Sequence, residues 1–163
     1  MVKSGEELFT CGLFAVGRVM AKFMGEYNHT VDAKGRVIVP SKFREKLGDS
    51  FVVTKGLDHC LAIYDMENWE KLEEKLNALN SLTADSRVLR RMMVGSASEA
   101  ETDKQGRVLL PSPLRDYAGL DKDVVLIGNI DHVEIWNRAS WEAAQDIDAD
   151  EAAEKLYAAG ITL

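Results

Sequence analysis

VDAKGRVIVP occupies residues 31–40 and TDKQGRVLLP occupies residues 102–111. Five of the ten positions are identical, and in both copies a Ser follows at once, with an Arg three residues after it. Asp32-Ala33-Lys34-Gly35 has the chemistry of a type I turn. The Asp side chain accepts a backbone hydrogen bond, and the Gly takes positive φ at no steric cost. Asp103-Lys104-Gln105-Gly106 repeats the pattern. Apolar residues follow (Val37, Ile38, Val39 and Val108, Leu109, Leu110), which predicts a turn at the tip of a β-hairpin with a Gly bulge. Pro40 and Pro111 end each strand, because proline cannot donate to a ladder.

Working outward, a short helix follows each strand. Ser41 is expected to cap the first. Ser112 is expected to cap the second, with Pro113 at its first helical position, and Gly48 and Gly119 are expected to stop them. Phe51–Thr54 and Val124–Ile127 read as strands, as do Leu61–Tyr64 and Val133–Trp136. Asp58-His59, Ile63-Tyr64 and Trp69 recur as Asp131-His132, Ile135-Trp136 and Trp141 after a single-residue gap. The organisation expected is an extension over 1–23, repeats over 24–70 and 96–142, a helical linker over 71–95 and an acidic helix or tail over 143–163. In the linker, Asp65 is expected to cap a helix with a Trp69, Leu72, Leu76, Leu79 stripe, and a second helix runs around 84–93. A unit of roughly 45 residues is too small to bury a sufficient core alone, so the two units should pack as a pseudo-twofold pair.

The chain has 163 residues, 46% hydrophobic and 29% charged, the balance of a globular protein. It has no apolar run of about 18 residues, so no membrane span is expected. Its two cysteines, Cys11 and Cys60, make neither a disulfide framework nor a zinc site, and a reducing cytoplasm is the natural compartment. Residues 1–23 lack the basic start and unbroken apolar run of a signal peptide and read as an upstream-start extension or an expression remnant. The formal charge is −7. Residues 34–46 nonetheless hold Lys34, Arg36, Lys42, Arg44 and Lys46 against Glu45 alone, and residues 104–115 hold Lys104, Arg107 and Arg115 with no acid. The two copies of the motif are the basic patches of an acidic chain, and local field steers a polyanion.

Two readings of Asp32 and Asp103 stand side by side: turn salt bridges with Arg36 and Arg107, or parts of a binding site. An Arg at a hairpin tip, with cations beside it, suits phosphate contact and bidentate recognition of guanine. An acid/base pair of the two Asp residues is the weaker reading, since turn-capping carboxylates are solvated and ionised. No metal-ligand or nucleophile–His spacing is present, and no cofactor is expected. His59 and His132 read as structural neighbours of turn Asp residues. Arg87, Arg90 and Arg91 read as a solvated helix face in preference to a DNA contact.

MGEYNHTVDAKGRVIVPSKFREKLG, GLDHCLAIY, ETDKQGRVLLPSPLRDYAGL and HVEIWNRASWE together resemble the MraZ family of bacterial transcriptional regulators, within the AbrB-like swapped-hairpin class, from Met24 to about Trp141. The resemblance implies an α+β, mostly β fold. Two AbrB-like β-turn-β-helix-β-β repeats would form a pseudo-dimeric swapped-hairpin barrel, with linking and C-terminal helices. It further implies binding of double-stranded DNA at short G-containing repeats upstream of the chain's own cell-division and cell-wall gene cluster. Repression is the family's usual role, with activation ascribed to some members. Assembly into a homo-oligomeric ring and a nucleoid-associated location follow, the apolar helix stripe with Trp69 and Trp141 supplying the ring's contact surface. The motif carries over as Asp32, Gly35 and Arg36 in one copy and Asp103, Gly106 and Arg107 in the other. Arg36 and Arg107 are the expected principal DNA contacts, supported by Lys34, Lys42, Arg44, Lys104 and Arg115. The alternative function is a protein–protein adaptor of the AbrB-like antitoxin type.

Overall fold

The computed structural model describes residues 20–162, so most of the expected 1–23 extension lies outside the described residues. The elements of the first repeat are β1 (Phe23–Thr30), β2 (Arg36–Ile38), α1 (Ser41–Leu47), β3 (Phe51–Lys55) and β4 (Leu61–Asp65). Helices α2 (Met66–Asn77) and α3 (Ala84–Gly95) follow. The second repeat supplies β5 (Ser98–Ala100), β6 (Arg107–Leu109), α4 (Ser112–Tyr117), β7 (Asp123–Ile130) and β8 (Val133–Asn137). Helices α5 (Arg138–Ala144) and α6 (Ala149–Ala158) end the described chain.

A six-stranded sheet runs in the order β1-β7-β8-β4-β3-β5, and β2 and β6 form a separate two-stranded ribbon. All pairings are antiparallel. Only the β3–β4 and β7–β8 hairpins join strands of one repeat. Otherwise β1 pairs with β7, β5 with β3, β4 with β8 and β2 with β6, so the first strand of each repeat lies against the third strand of the other. The fold is a swapped-hairpin pair of repeats, α+β and mostly β. After the first Asp turn the chain returns on its own strand only at an isolated bridge, Val31 with Val37. The strand that follows the turn is handed to the other repeat.

The register locates the pseudo-twofold axis. Val37 lies opposite Val108, its equivalent in the second copy, and Ala62 opposite Glu134, its equivalent after the gap. Alternation along β2 and β6 turns Val37, Val39, Val108 and Leu110 inward, where all are fully buried. They join Phe43, Leu47, Phe51, Val53, Leu61, Ile63, Val124, Leu126, Val133 and Ile135 in a single core drawn from both repeats. Phe23, one residue before the expected start at 24, belongs to that core as well. On the opposite face of the sheet, Val52, Ala62, Tyr64 and Trp69 form a smaller cluster under α2. Both faces of β3 and β4 are covered, which is why their sequences are nearly continuous apolar runs.

Local details differ from the sequence reading in three places. The residues preceding α1 and α4 are Pro40 and Pro111, held extended, and neither Ser41 nor Ser112 makes a capping hydrogen bond. The Pro40 carbonyl accepts from the Phe43 and Arg44 N–H groups, so the ring that ends the strand also starts the helix. Ser112 takes the first helical position, which moves Pro113 to the second. Asp65 does precede α2, but its carboxylate accepts from the Asn68 side chain at 2.6 Å instead of from the backbone. Leu79 falls beyond the helix end and is exposed, so the buried stripe is Trp69 and Leu76, with Leu72 half-buried.

Phe43 closes the core beneath the ribbon, edge-on to Phe23 at 6.1 Å and to Tyr27 at 5.1 Å. Truncation leaves a cavity that neighbours from both repeats cannot collapse into. Phe43→Ala should lower the unfolding free energy by about 3–5 kcal/mol. Urea denaturation of parent and variant measures it, and a loss below about 1 kcal/mol would contradict this packing.

Candidate nucleic-acid interface

Each Asp of the repeated motif organises its own turn. The Asp32 carboxylate accepts from the N–H groups of Lys34 and Arg36, both at 2.9 Å, and from the Arg36 guanidinium Nε at 2.7 Å. The Gly35 N–H donates to the Asp32 carbonyl at 3.0 Å, closing the turn. The second copy reproduces this. Asp103 accepts from the N–H groups of Gln105 and Arg107 at 2.9 Å and from Arg107 Nε at 2.8 Å, and Gly106 closes its turn at 3.0 Å. The N–H of Arg36 is the main cause that holds the Asp32 carboxyl below its ordinary value, opposed by desolvation and aided by the Arg36 guanidinium. The N–H of Arg107 does the same for Asp103. Both carboxylates are therefore anionic anchors, fully engaged in local bonds.

The two anchored arginines share one surface. In the β2–β6 register Arg36 lies opposite Leu109, and Ile38 opposite Arg107, so all four point to the face away from the core. Arg107 also lies 3.9 Å from Asp32, which ties the two turns together across the axis. A guanidinium whose Nε is held by a carboxylate keeps its Nη groups directed outward in a fixed plane, the geometry a bidentate contact requires.

Arg44 and Arg115 take a part that the sequence reading did not assign. Arg44 Nε donates to the Val39 carbonyl at 2.9 Å and Arg115 Nε to the Leu110 carbonyl at 3.1 Å. Each guanidinium lies on the glycine of the other repeat's turn: a Cβ added at Gly106 would meet Arg44 Cζ at 2.7 Å, and one at Gly35 would meet Arg115 Cζ at 2.7 Å. These glycines also have φ of +78° and +82°. The Arg three residues after each Ser thus buttresses the turn of the opposite copy from behind. Spacing shows that such an Arg recurs, but not that it crosses the axis.

Lys34, Lys42 and Lys104 are exposed around the turns. Arg87 is occupied locally, donating to the carbonyls of Ser81 and Leu82 at 3.0 and 2.9 Å. The two repeated histidines differ. His59 is exposed and lies 5.0 Å from the Tyr117 ring. His132 stacks on Tyr64 of the first repeat at 5.0 Å and contacts Asp131 at 2.6 Å and Glu134 at 3.2 Å. Burial alone would lower the His132 pKa, but the bonds to Glu134 and Asp131 outweigh it and raise the value above 6.5. Among the described residues no cluster of three His, Cys, Asp or Glu has metal-binding geometry, and no helix is long and apolar enough to cross a membrane.

With the geometry in place, the chain is similar to known proteins along most of its length. A family model described as the MraZ protein, antitoxin-like, matches residues 22–92 and again 93–160. A protein of Acetivibrio thermocellus named transcriptional regulator MraZ is 51% identical over 142 residues, covering 85% of this chain and 99% of its own. One of Desulfitobacterium hafniense with the same name is 53% identical over 143 residues, with the same coverage. One of Carboxydothermus hydrogenoformans, again so named, is 55% identical over 119 residues, covering 73% of this chain and 83% of its own.

Two expectations follow from this geometry. Gly106→Ala should destabilise by about 1–2 kcal/mol from the left-handed backbone alone. It should cost more than Gly119→Ala, where φ is also positive but nothing lies within 4 Å of the added Cβ. The excess should vanish in an Arg44→Ala background, as a double-mutant cycle by urea denaturation reports; additive costs would deny the cross-repeat contact. The second concerns pH. Because the His132 pKa is raised on folding, its contribution is complete below 6.5 and lost as pH rises through the folded value. Parent stability should fall as pH rises above 6.5 and that of His132→Gln should not; equal drops would assign the effect to other groups.

Proposed function

The chain belongs to the MraZ family, and we propose that it is a sequence-specific DNA-binding transcriptional regulator that represses a cell-division and cell-wall gene cluster by binding short G-containing repeats upstream of its own coding sequence. The observation that carries this reading is the pair of Asp-anchored guanidiniums on one face of a two-stranded ribbon. A B-DNA major groove is wide enough to admit such a ribbon, and Arg bidentate to guanine is its commonest specific contact. Arg36 and Arg107 read bases, and Lys34, Lys42 and Lys104 contact phosphates. Arg44 and Arg115 hold the two turns and add charge. Residues 24–70 and 96–142 act as the paired DNA-binding repeats, with 71–95 linking them. The protein works in the cytoplasm, at the nucleoid.

One protomer of net charge −7 with a few free cations makes few phosphate contacts, so it binds feebly alone. A homo-oligomeric ring presents several ribbons to successive repeats and makes each added contact effectively intramolecular. Trp69 is buried within the protomer and is not available to a ring surface, whereas Trp141, half-buried against Trp136, keeps part of its indole exposed. Leu79, Leu82 and Val88, exposed on and between α2 and α3, are among the apolar residues that could join that surface. A second reading, a protein–protein adaptor, is favoured by the antitoxin-like description of the family model.

Titration of the chain's own upstream DNA over a salt series separates the two. The regulator should show specific binding that weakens steeply with salt, as phosphate neutralisation demands. Arg36→Ala should lose about 10- to 100-fold in specific affinity while remaining folded and assembled. Light scattering should give an oligomer that binds multi-repeat DNA far more tightly than a single repeat. Absence of any specific shift would leave the adaptor reading; retained affinity in Arg36→Ala would move the site elsewhere.

A further inference from the structure

The outward face of the β2–β6 ribbon is half apolar. Ile38 is 44% exposed and Leu109 59% exposed, although the residues flanking them in sequence, Val37, Val39, Val108 and Leu110, are buried completely. Single exposed aliphatics are ordinary on a protein surface. These two are twofold equivalents, however: each stands directly opposite the Arg of the other strand in the ribbon register. A solvated strand face is expected to carry polar side chains at such positions. Both copies instead place a branched aliphatic between guanidiniums that are anchored by Asp32 and Asp103.

The spacing fits one occupant. Residues two apart on a strand are roughly 6.5–7 Å apart, and directly opposed residues roughly 5 Å. One base step is about 3.4 Å. An arginine on a base edge therefore leaves the neighbouring aliphatic one to two base steps away, in the same groove. The one apolar group on the floor of the major groove is the thymine C5-methyl. A positively charged rim (Lys34 and Lys104 beside Arg36 and Arg107) excludes cationic partners and matches the phosphates that line that groove.

We infer that Ile38 and Leu109 are specificity-determining residues that read thymine C5-methyl groups next to the bases contacted by Arg36 and Arg107. The site is thus selected for thymine as well as guanine, with aliphatic packing supplying the discrimination that charge cannot. This inference rests on the ribbon face being the DNA interface.

The test uses the full chain and two duplexes of its upstream region, one natural and one with every thymine replaced by uracil, which pairs identically but lacks the methyl. The parent should bind the uracil duplex more weakly, by about fourfold for each buried methyl removed. A uracil scan should confine the loss to positions within two base steps of the guanines that the arginines contact. The Ile38→Ser/Leu109→Ser double variant, which changes only exposed side chains, should bind both duplexes equally. Equal parent affinity for the two duplexes overturns the inference while leaving the proposed function intact, as does a double variant that keeps the parent's thymine preference. A double variant of altered oligomeric mass, with no thymine discrimination in the parent, assigns the face to a second copy of this chain and overturns it too. Failure of the parent to prefer either duplex over unrelated DNA overturns both readings at once. The parent comparison needs no mutation, so it decides the matter even if the variant does not fold.

Discussion

Pairing of Val37 with Val108 is the contact on which the rest of the molecule depends. Neither repeat has enough chain to enclose a core. Each therefore gives its post-turn strand to the other, and the two short strands meet at the axis. Their inward side chains become the centre of the joint core. Their outward side chains are left facing solvent because the ribbon has only one covered side. Burial on one face and presentation on the other are consequences of the same backbone pairing, since strand periodicity is fixed at two.

The same exchange sets the stiffness of the presented surface. Strands β2 and β6 are three residues each, and an isolated hairpin of that size is marginal in water. Three kinds of contact hold it in shape. Asp32 and Asp103 fasten the turns from within. The N–H groups of Val39 and Leu110 extend the pairing to the carbonyls of Gly106 and Gly35, both at 2.9 Å. Arg44 and Arg115 press on those glycines from the opposite repeat. Every one of the last two kinds crosses the axis. A turn of one repeat cannot loosen without the helix of the other giving way, so the two arginines are held as one unit.

Charge works locally here. An acidic chain carries its cations where the repeated motif brings them, and the carboxylates nearest the arginines are spent on backbone N–H groups and on orienting guanidiniums. The acid that neutralises each Arg in a formal count is the group that aims it. This is why a net charge of −7 is compatible with a polyanion as partner.

How much of this was legible beforehand varies by element. The turns were, because Asp, Gly and Arg at fixed offsets leave little conformational choice, and internal duplication revealed two equivalent units. The Asp–Arg bonds followed from the same spacing. The Ser caps were misread because each helix starts one residue earlier: Pro40 and Pro111 hold the N-cap positions, which places Ser41 and Ser112 inside the first turn. The half-apolar ribbon face was hidden in runs such as Val37-Ile38-Val39, where composition is uniform and only pairing shows which residue points out. Most of all, local patterns cannot say whose strand a strand will pair with. Repetition and turn chemistry are properties of neighbouring residues, and the sequence alone determined them. The exchange of strands, the reach of Arg44 to Gly106 and of Arg115 to Gly35, and the shared face of Arg36 and Arg107 were decided by tertiary structure. Each joins residues at least 45 positions apart, through a core that neither repeat could close alone.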